Sequence, residues 1–154
     1  MLTREEKKQR NHLFWEEFRK YMSKVKSVNG RRMNWLNYPT DVKNMYVRLV
    51  VDSRSAKVCL DIQPKDDGIR AIIWEQMTEL KKVLSDSMNQ EAEWFENFHD
   101  NDGRLISRIV WEKIDVNFYN EADKEAIFEF LKNRLIEFDE FYQEFKEILI
   151  ALTK

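Results

Sequence analysis

One cysteine, three glycines, two prolines and two histidines are all that this 154-residue chain contains of the residues that most often mark disulfides, phosphate loops, sharp turns and metal sites. With Cys59 alone no intrachain disulfide forms, and a lone thiol fits a reducing compartment. Glycines at 30, 68 and 103 only are too scattered to build a glycine-rich phosphate cradle. His12, His99 and Cys59 show neither CxxC nor HExxH spacing, and neither histidine lies in a nucleophile motif. No catalytic residue, metal, cofactor or small-molecule ligand is therefore expected. Lys plus Arg number 26 against 28 Asp plus Glu, a formal charge of -2, so no overall positive field draws in a polyanion. No apolar run approaches the ~18 residues of a membrane span, and the opening MLTREEKKQRNHLFWEEF has no apolar core of a signal peptide. The expectation is a cytoplasmic protein without membrane contact.

What is present is apolar and aromatic. Apolar residues make up 43% and aromatic residues 13% of the chain, enough for a packed interior, and the length suits a single domain over residues 1–154. Hydrophobic periodicity gives the order helix, hairpin, helix, hairpin, helix, which makes an α+β fold: a mainly antiparallel sheet of about four strands packed against helices. The first helix opens at Thr3, which stands at capping-box distance from Glu6. It carries Phe14, Phe18, Tyr21, Met22 and Val25 on one face and is expected to stop at Asn29-Gly30.

The segments MYVRLVVD and KVCLDIQ flank Ser53-Arg54-Ser55-Ala56. A four-residue loop there sets Val51 against Val58, Leu49 against Leu60 and Val47 against Ile62 on one face. The other face then pairs Asp52 with Lys57, Val50 with Cys59 and Arg48 with Asp61, so that opposite charges meet outside and Cys59 is a small buried thiol. The second helix is capped by Asp66 or Asp67 and carries an apolar stripe of Ile69, Ile72, Ile73, Met77, Leu80 and Leu84. The second hairpin turns through Asn101-Asp102-Gly103 in a three-residue loop, facing Glu96 to Arg108 and Phe98 to Ile106. The last helix opens at Asn120 and runs to Lys154, roughly 50 Å at 1.5 Å per residue. Such a length overhangs a domain of this size, which makes Phe138, Phe141, Phe145, Ile148 and Leu152 candidates for pairing with a second copy.

A nuclease of the type that sets an Asp and an acidic-x-Lys triplet on a hairpin has a counterpart here only in Asp52, Asp61 and Gln63. Gln63 stands where a lysine belongs. In the register above the two carboxylates lie roughly 13 Å apart along the strand, too far to share one Mg²⁺. Glu75 and Glu79 on the next helix do not repair the motif.

Charge is uneven although it nearly cancels. Lys7, Lys8, Arg10, Arg19, Lys20, Lys24, Lys26 and Arg31 crowd the first 32 residues, while the last helix is rich in Glu and Asp. Packing of those two helices side by side would match the charges; the alternative is a basic surface for an acidic partner. The stretch NWLNYPTD, residues 34–41, poses the same choice. Trp35 and Tyr38 either plug an open end of the core, or stack bases while Arg31, Arg32 and Lys43 hold phosphates.

FWEEFRKYM, MNWLNYPTDVKNMYVRLVVD, IIWEQMTELKKVL, the hairpin around NDGRLISRIVWE and the late FLKNRLIEFDEFY together resemble the bacterial family known as domain of unknown function 4268, from Asn11 to Leu149. Tyr142, where a Trp is expected, and Asp61, where a Glu is common, depart from its pattern. The resemblance implies a soluble prokaryotic domain that occurs alone or at the C-terminal end of chains whose first part looks nuclease-like. It implies no established activity, ligand or catalytic residue. Three function classes follow: a non-enzymatic binding or assembly module, dimeric through the last helix; a nucleic-acid-binding module using the basic first helix and the Trp35/Tyr38 loop; and a degenerate metal-dependent nuclease-like domain. Partners are accordingly a second copy, a nucleic acid or a protein.

Overall fold

Alternating apolar and polar residues in Met45–Val51 (β1), Ser55–Ile62 (β2), Glu93–His99 (β3) and Leu105–Ile114 (β4) build one antiparallel sheet, ordered β1-β2-β4-β3. The computed structural model that shows it describes residues 2–153. Four helices accompany the sheet: α1 (Arg4–Met22), α2 (Asp67–Glu79), α3 (Lys81–Ser87) and α4 (Lys124–Leu152). The fold is thus α+β, with α2 and α4 against one sheet face and α1 and α3 leaning on α4.

Helix α1 starts as expected, with Thr3 Oγ1 accepting from the Glu6 amide at 3.1 Å. It ends at Met22, well before Gly30, because Ser23 closes the last turn: its hydroxyl donates to the Lys20 carbonyl at 2.7 Å. Gly30, at φ 81°, belongs to a separate turn closed by its own amide on the Ser27 carbonyl.

The first hairpin is shifted by two positions from the expected register. Val51 faces Ala56, Leu49 faces Val58, Val47 faces Leu60 and Met45 faces Ile62. The cause is Asp52, whose carboxylate accepts from the amides of Arg54 (2.8 Å) and Ser55 (2.9 Å) and tightens the turn to Ser53-Arg54. These bonds hold its pKa below the usual range. A shift of two preserves side-chain parity, so the same apolar residues face the core. The outer pairs do change: Arg48 faces Cys59 and reaches diagonally to Asp61, and Lys57 lies near Glu112 at 3.8 Å.

The second hairpin turns through Asn101-Asp102-Gly103, with Gly103 at φ 76° and Phe98 facing Ile106 as expected. Further along, Phe95 and not Glu96 faces Arg108, since a bulge interrupts β3 between Phe95 and Phe98. The bulge accounts for a second surprise, on α2. Arg70 is buried, and its Nη1 donates to the Glu96 carbonyl at 2.8 Å and to Ser107 Oγ at 2.9 Å, filling the gap that the bulge opens. Turning Arg70, Ile73 and Met77 inward leaves Ile69 and Ile72 exposed, outside the expected stripe. The expected second helix also breaks at Leu80 into α2 and α3, and the bend seats Leu84 in the core with α3 on α4.

Before α4 a 3₁₀ turn over Glu121–Asp123 occupies the place of the expected first helical turn. The 29 residues of α4 then run unbroken, about 43 Å at 1.5 Å per residue. Ile127, Phe128, Leu131, Leu135, Phe138, Phe141, Tyr142 and Leu149 line its buried face. Truncating Met77, which is fully buried, to Ala is expected to lower unfolding free energy by about 2–5 kcal/mol. Ile72→Ala should change it by no more than about 0.5 kcal/mol. Urea denaturation of the two variants checks the orientation of α2.

Candidate functional site: a basic groove beside the aromatic loop

Between α1 and β1 the chain runs through 22 residues, irregular except for a 3₁₀ turn at Trp35–Asn37, and side chains of α4 hold them. Asp139, 1% exposed, accepts from Ser27 Oγ (2.8 Å), the Val28 amide (2.8 Å), the Tyr38 hydroxyl (2.6 Å) and Gln143 Nε2 (3.2 Å). Each hydrogen bond to a charged group contributes about 1.5–3 kcal/mol where its donors would otherwise be unpaired. One turn further on, the Tyr142 hydroxyl donates to the Thr40 carbonyl at 2.6 Å, and Thr40 Oγ1 donates to the Met45 carbonyl at 2.7 Å, at the entrance to β1.

Trp35 and Tyr38 fill this seam. Trp35 is 3% exposed, and its indole N–H donates to the Val25 carbonyl at 2.8 Å. Tyr38 is 4% exposed and packs edge-on against Phe138 at 5.6 Å. Both rings therefore plug the core end, and neither offers a free face for a base. Burial, with the Asp139 carboxylate beside it, pushes the Tyr38 hydroxyl well above its ordinary pKa. Burial raises Tyr142 too.

Outside the plug lies a groove of about 520 Å³. Met22, Val25, Met33, Trp35 and Leu36 form its floor, and Arg19, Lys24, Lys26 and Arg32 stand around it. Arg19 pairs with Glu16 at 2.9 Å; among the described residues Lys24, Lys26 and Arg32 make no ion pair. Arg31 and Lys43 are exposed but do not line the groove. Matching of a basic first helix to an acidic last one is not what the structure shows: the ion pair joining α1 to α4 is Lys124 with Glu17, of the opposite polarity.

The other candidates fall elsewhere. Phe138 and Phe141 are buried within the chain, Phe145 is half-buried, and Ile148 and Leu152 are exposed at the far end of α4. His12 on α1 and His99 at the end of β3 are both exposed. Cys59 is buried in β2, and burial pushes its thiol up to about 12. Asp61 is buried on the outer sheet face, where Arg108 holds it by two bonds of 2.7 and 2.9 Å and Arg48 by a third of 3.0 Å. Asp52 stands across from Ser55, six residues along β2 from Asp61, roughly 20 Å by strand rise. With both oxygens of Asp61 engaged by guanidinium and Asp52 engaged by turn amides, this pair does not fit a shared divalent ion. No group of three metal-ligating side chains occurs among the described residues, and no helix is long and apolar enough to cross a membrane.

The chain is therefore an antiparallel sheet backed by helices, with a plugged aromatic seam and a basic groove beside it. It belongs to the family described as domain of unknown function (DUF4268), whose model matches residues 10–146. No curated protein and no solved structure matches it.

The raised tyrosines set a pH dependence. An unfolded tyrosine loses its proton near pH ~10, whereas Tyr38 and Tyr142 keep theirs to higher pH in the folded chain. The unfolded state thus binds fewer protons above that point, and stability falls as pH rises. Thermal melts from pH 8 to 11 should show a flat Tm below about 9.5 and a progressive drop above it, with a shallower drop in Tyr142→Phe.

Proposed function

We propose that this protein is a binding module whose groove beside the aromatic loop receives a single-stranded nucleic acid. The observation that carries this reading is the set of cations at the rim, three of them without an ion pair among the described residues, around a partly apolar floor. Phosphates would sit against Arg19, Lys24, Lys26 and Arg32, while Met33 and Leu36, both half-buried, offer apolar contact to bases. Arg31, next to Arg32 in the chain, and Lys43 are exposed but are not part of the groove lining. Trp35 and Tyr38 act by shaping the groove from beneath.

The overall charge of -2 does not oppose this, since no acidic residue lines the groove and charge is screened over about 8–10 Å at ordinary salt. An assembly role through α4 has less to draw on. Phe138 and Phe141 are spent inside the chain, which leaves Ile148, Leu152 and part of Phe145 to pair with a second copy.

Labelled single-stranded DNA and RNA oligonucleotides should bind with affinity that falls steeply with salt. Four phosphate contacts would give a log–log slope of about -2.8, and Lys26→Glu with Arg32→Glu should reduce it by about 1.4 and weaken binding more than tenfold. Anisotropy titrations at several salt concentrations read both quantities. Equal binding by the double variant would overturn the reading.

A further inference from the structure

Helices cover one face of the sheet; the other, curled between the Asp52 turn and the Asn101-Asp102 tip, encloses a cleft of about 440 Å³. Its centre is the Asp61 cluster. Arg108 Nη2 and Arg48 Nε both lie within 3.0 Å of Asp61 Oδ2, so a single carboxylate holds two guanidinium groups side by side. The planes are fixed from behind: Arg108 lies 4.6 Å from the Phe98 ring centroid and Arg48 lies 4.7 Å from that of Tyr46. Gln63 Oε1 accepts from Arg48 Nη2 at 3.0 Å and fixes the second fork.

Donor accounting shows what remains. A guanidinium carries five N–H groups. Arg108 donates through Nε and Nη2 to Asp61, and Arg48 donates through Nη2 to Gln63 with its Nε in an ion pair with Asp61, so Nη1 of each has no protein acceptor among the described residues. Arg104 lines the same cleft without an ion pair, and Lys57 has only the 3.8 Å contact to Glu112. Four acids also line the cleft, which makes its formal charge neutral. Asp61 is held by the two arginines, and Asp52 and Asp100 each turn one oxygen to backbone amides, of Arg54 and Ser55 and of Asp102 and Arg104, at the two ends of the cleft. The guanidinium donors left over at the centre are thus Nη1 of Arg48 and Nη1 of Arg108.

We propose that this cleft binds a small ligand bearing an oxyanion, a phosphate monoester or carboxylate, between Arg48 and Arg108, with its apolar part against Phe98 and Val50. The buried carboxylate is a positioning group: it turns two flexible arginines into a fixed pair of forks. This site lies on the sheet face away from α4 and does not depend on the groove beside α1.

The test is calorimetric titration at low salt with inorganic phosphate, acetate and phenyl phosphate. Phenyl phosphate should bind at least threefold more tightly than inorganic phosphate, because its ring meets Phe98. Arg48→Ala and Arg48→Lys should each weaken it at least tenfold, the lysine variant failing because it keeps the charge without the fork. Lys26→Glu with Arg32→Glu should bind it as the parent does. In the parent protein, phenyl phosphate should shift the NMR amide signals of Asp61, Phe98 and Arg104, a readout that stands even where a variant does not fold. No binding by any of the three anions overturns the proposal, as do undiminished binding in both Arg48 variants, loss of binding in the Lys26/Arg32 variant, or shifts confined to residues 19–36.

Discussion

A single buried carboxylate, Asp139, decides how the first third of the chain is arranged. Four donors converge on it from three places: the turn after α1, the aromatic loop and the next turn of its own helix. An ionised group out of water is costly unless it is well hydrogen-bonded, and removing any of these donors leaves the others holding an undersatisfied charge. The seam is therefore cooperative. It fixes residues 27–38 on α4, and Tyr142 extends the hold to Thr40 and the start of β1. The shape of the basic groove follows, because its floor is the outer surface of that pinned loop.

The same logic recurs twice on the sheet. Asp61 gathers two arginines on the open face, and Arg70 enters from α2 to donate, together with Ser107, to the Glu96 carbonyl at the β3 bulge. In each case a buried charge is paired at short range with groups distant in sequence, which specifies one arrangement of elements over its neighbours. An apolar core built from Leu131, Leu135, Ile73 and Ile109 supplies adhesion; these polar contacts supply the register.

The elements themselves were largely legible from period and capping. The Thr3 cap, the strand alternation, the Gly103 turn and the apolar face of α4 are local signals, and local physics fixes them. What sequence reading missed was decided by side chains acting across the fold. The β1–β2 turn looks like a four-residue loop until Asp52 is seen to bind two amides within it, which moves the register while parity keeps the faces correct. Nothing in the string distinguishes Asp139 from the glutamates around it except phase: it stands four residues after Leu135 and three before Tyr142, on the buried stripe. Arg70 has the same signature, three residues before Ile73 and seven before Met77. A charged residue in phase with a core stripe is the signal that finds both. The break at Leu80 carries neither proline nor glycine, and the arginines' grip on Asp61 spans three strands, so neither leaves a local mark.

The groove on one side and the guanidinium pair on the other are different kinds of surface. The first is a set of exposed cations over the pinned loop; the second is a pair of guanidinium groups held on one carboxylate in a cleft. Each is set in place by a buried carboxylate, Asp139 for the first and Asp61 for the second. The central claim, that the aromatic loop is a pinned plug, is tested most directly by amide and indole hydrogen exchange in the native protein. The Val28 amide and the Trp35 indole N–H are bonded to Asp139 and to the Val25 carbonyl, so both should exchange only as slowly as buried α4 amides do, although the Val28 side chain is exposed. Exchange of both at the rate of an unprotected loop would contradict the account.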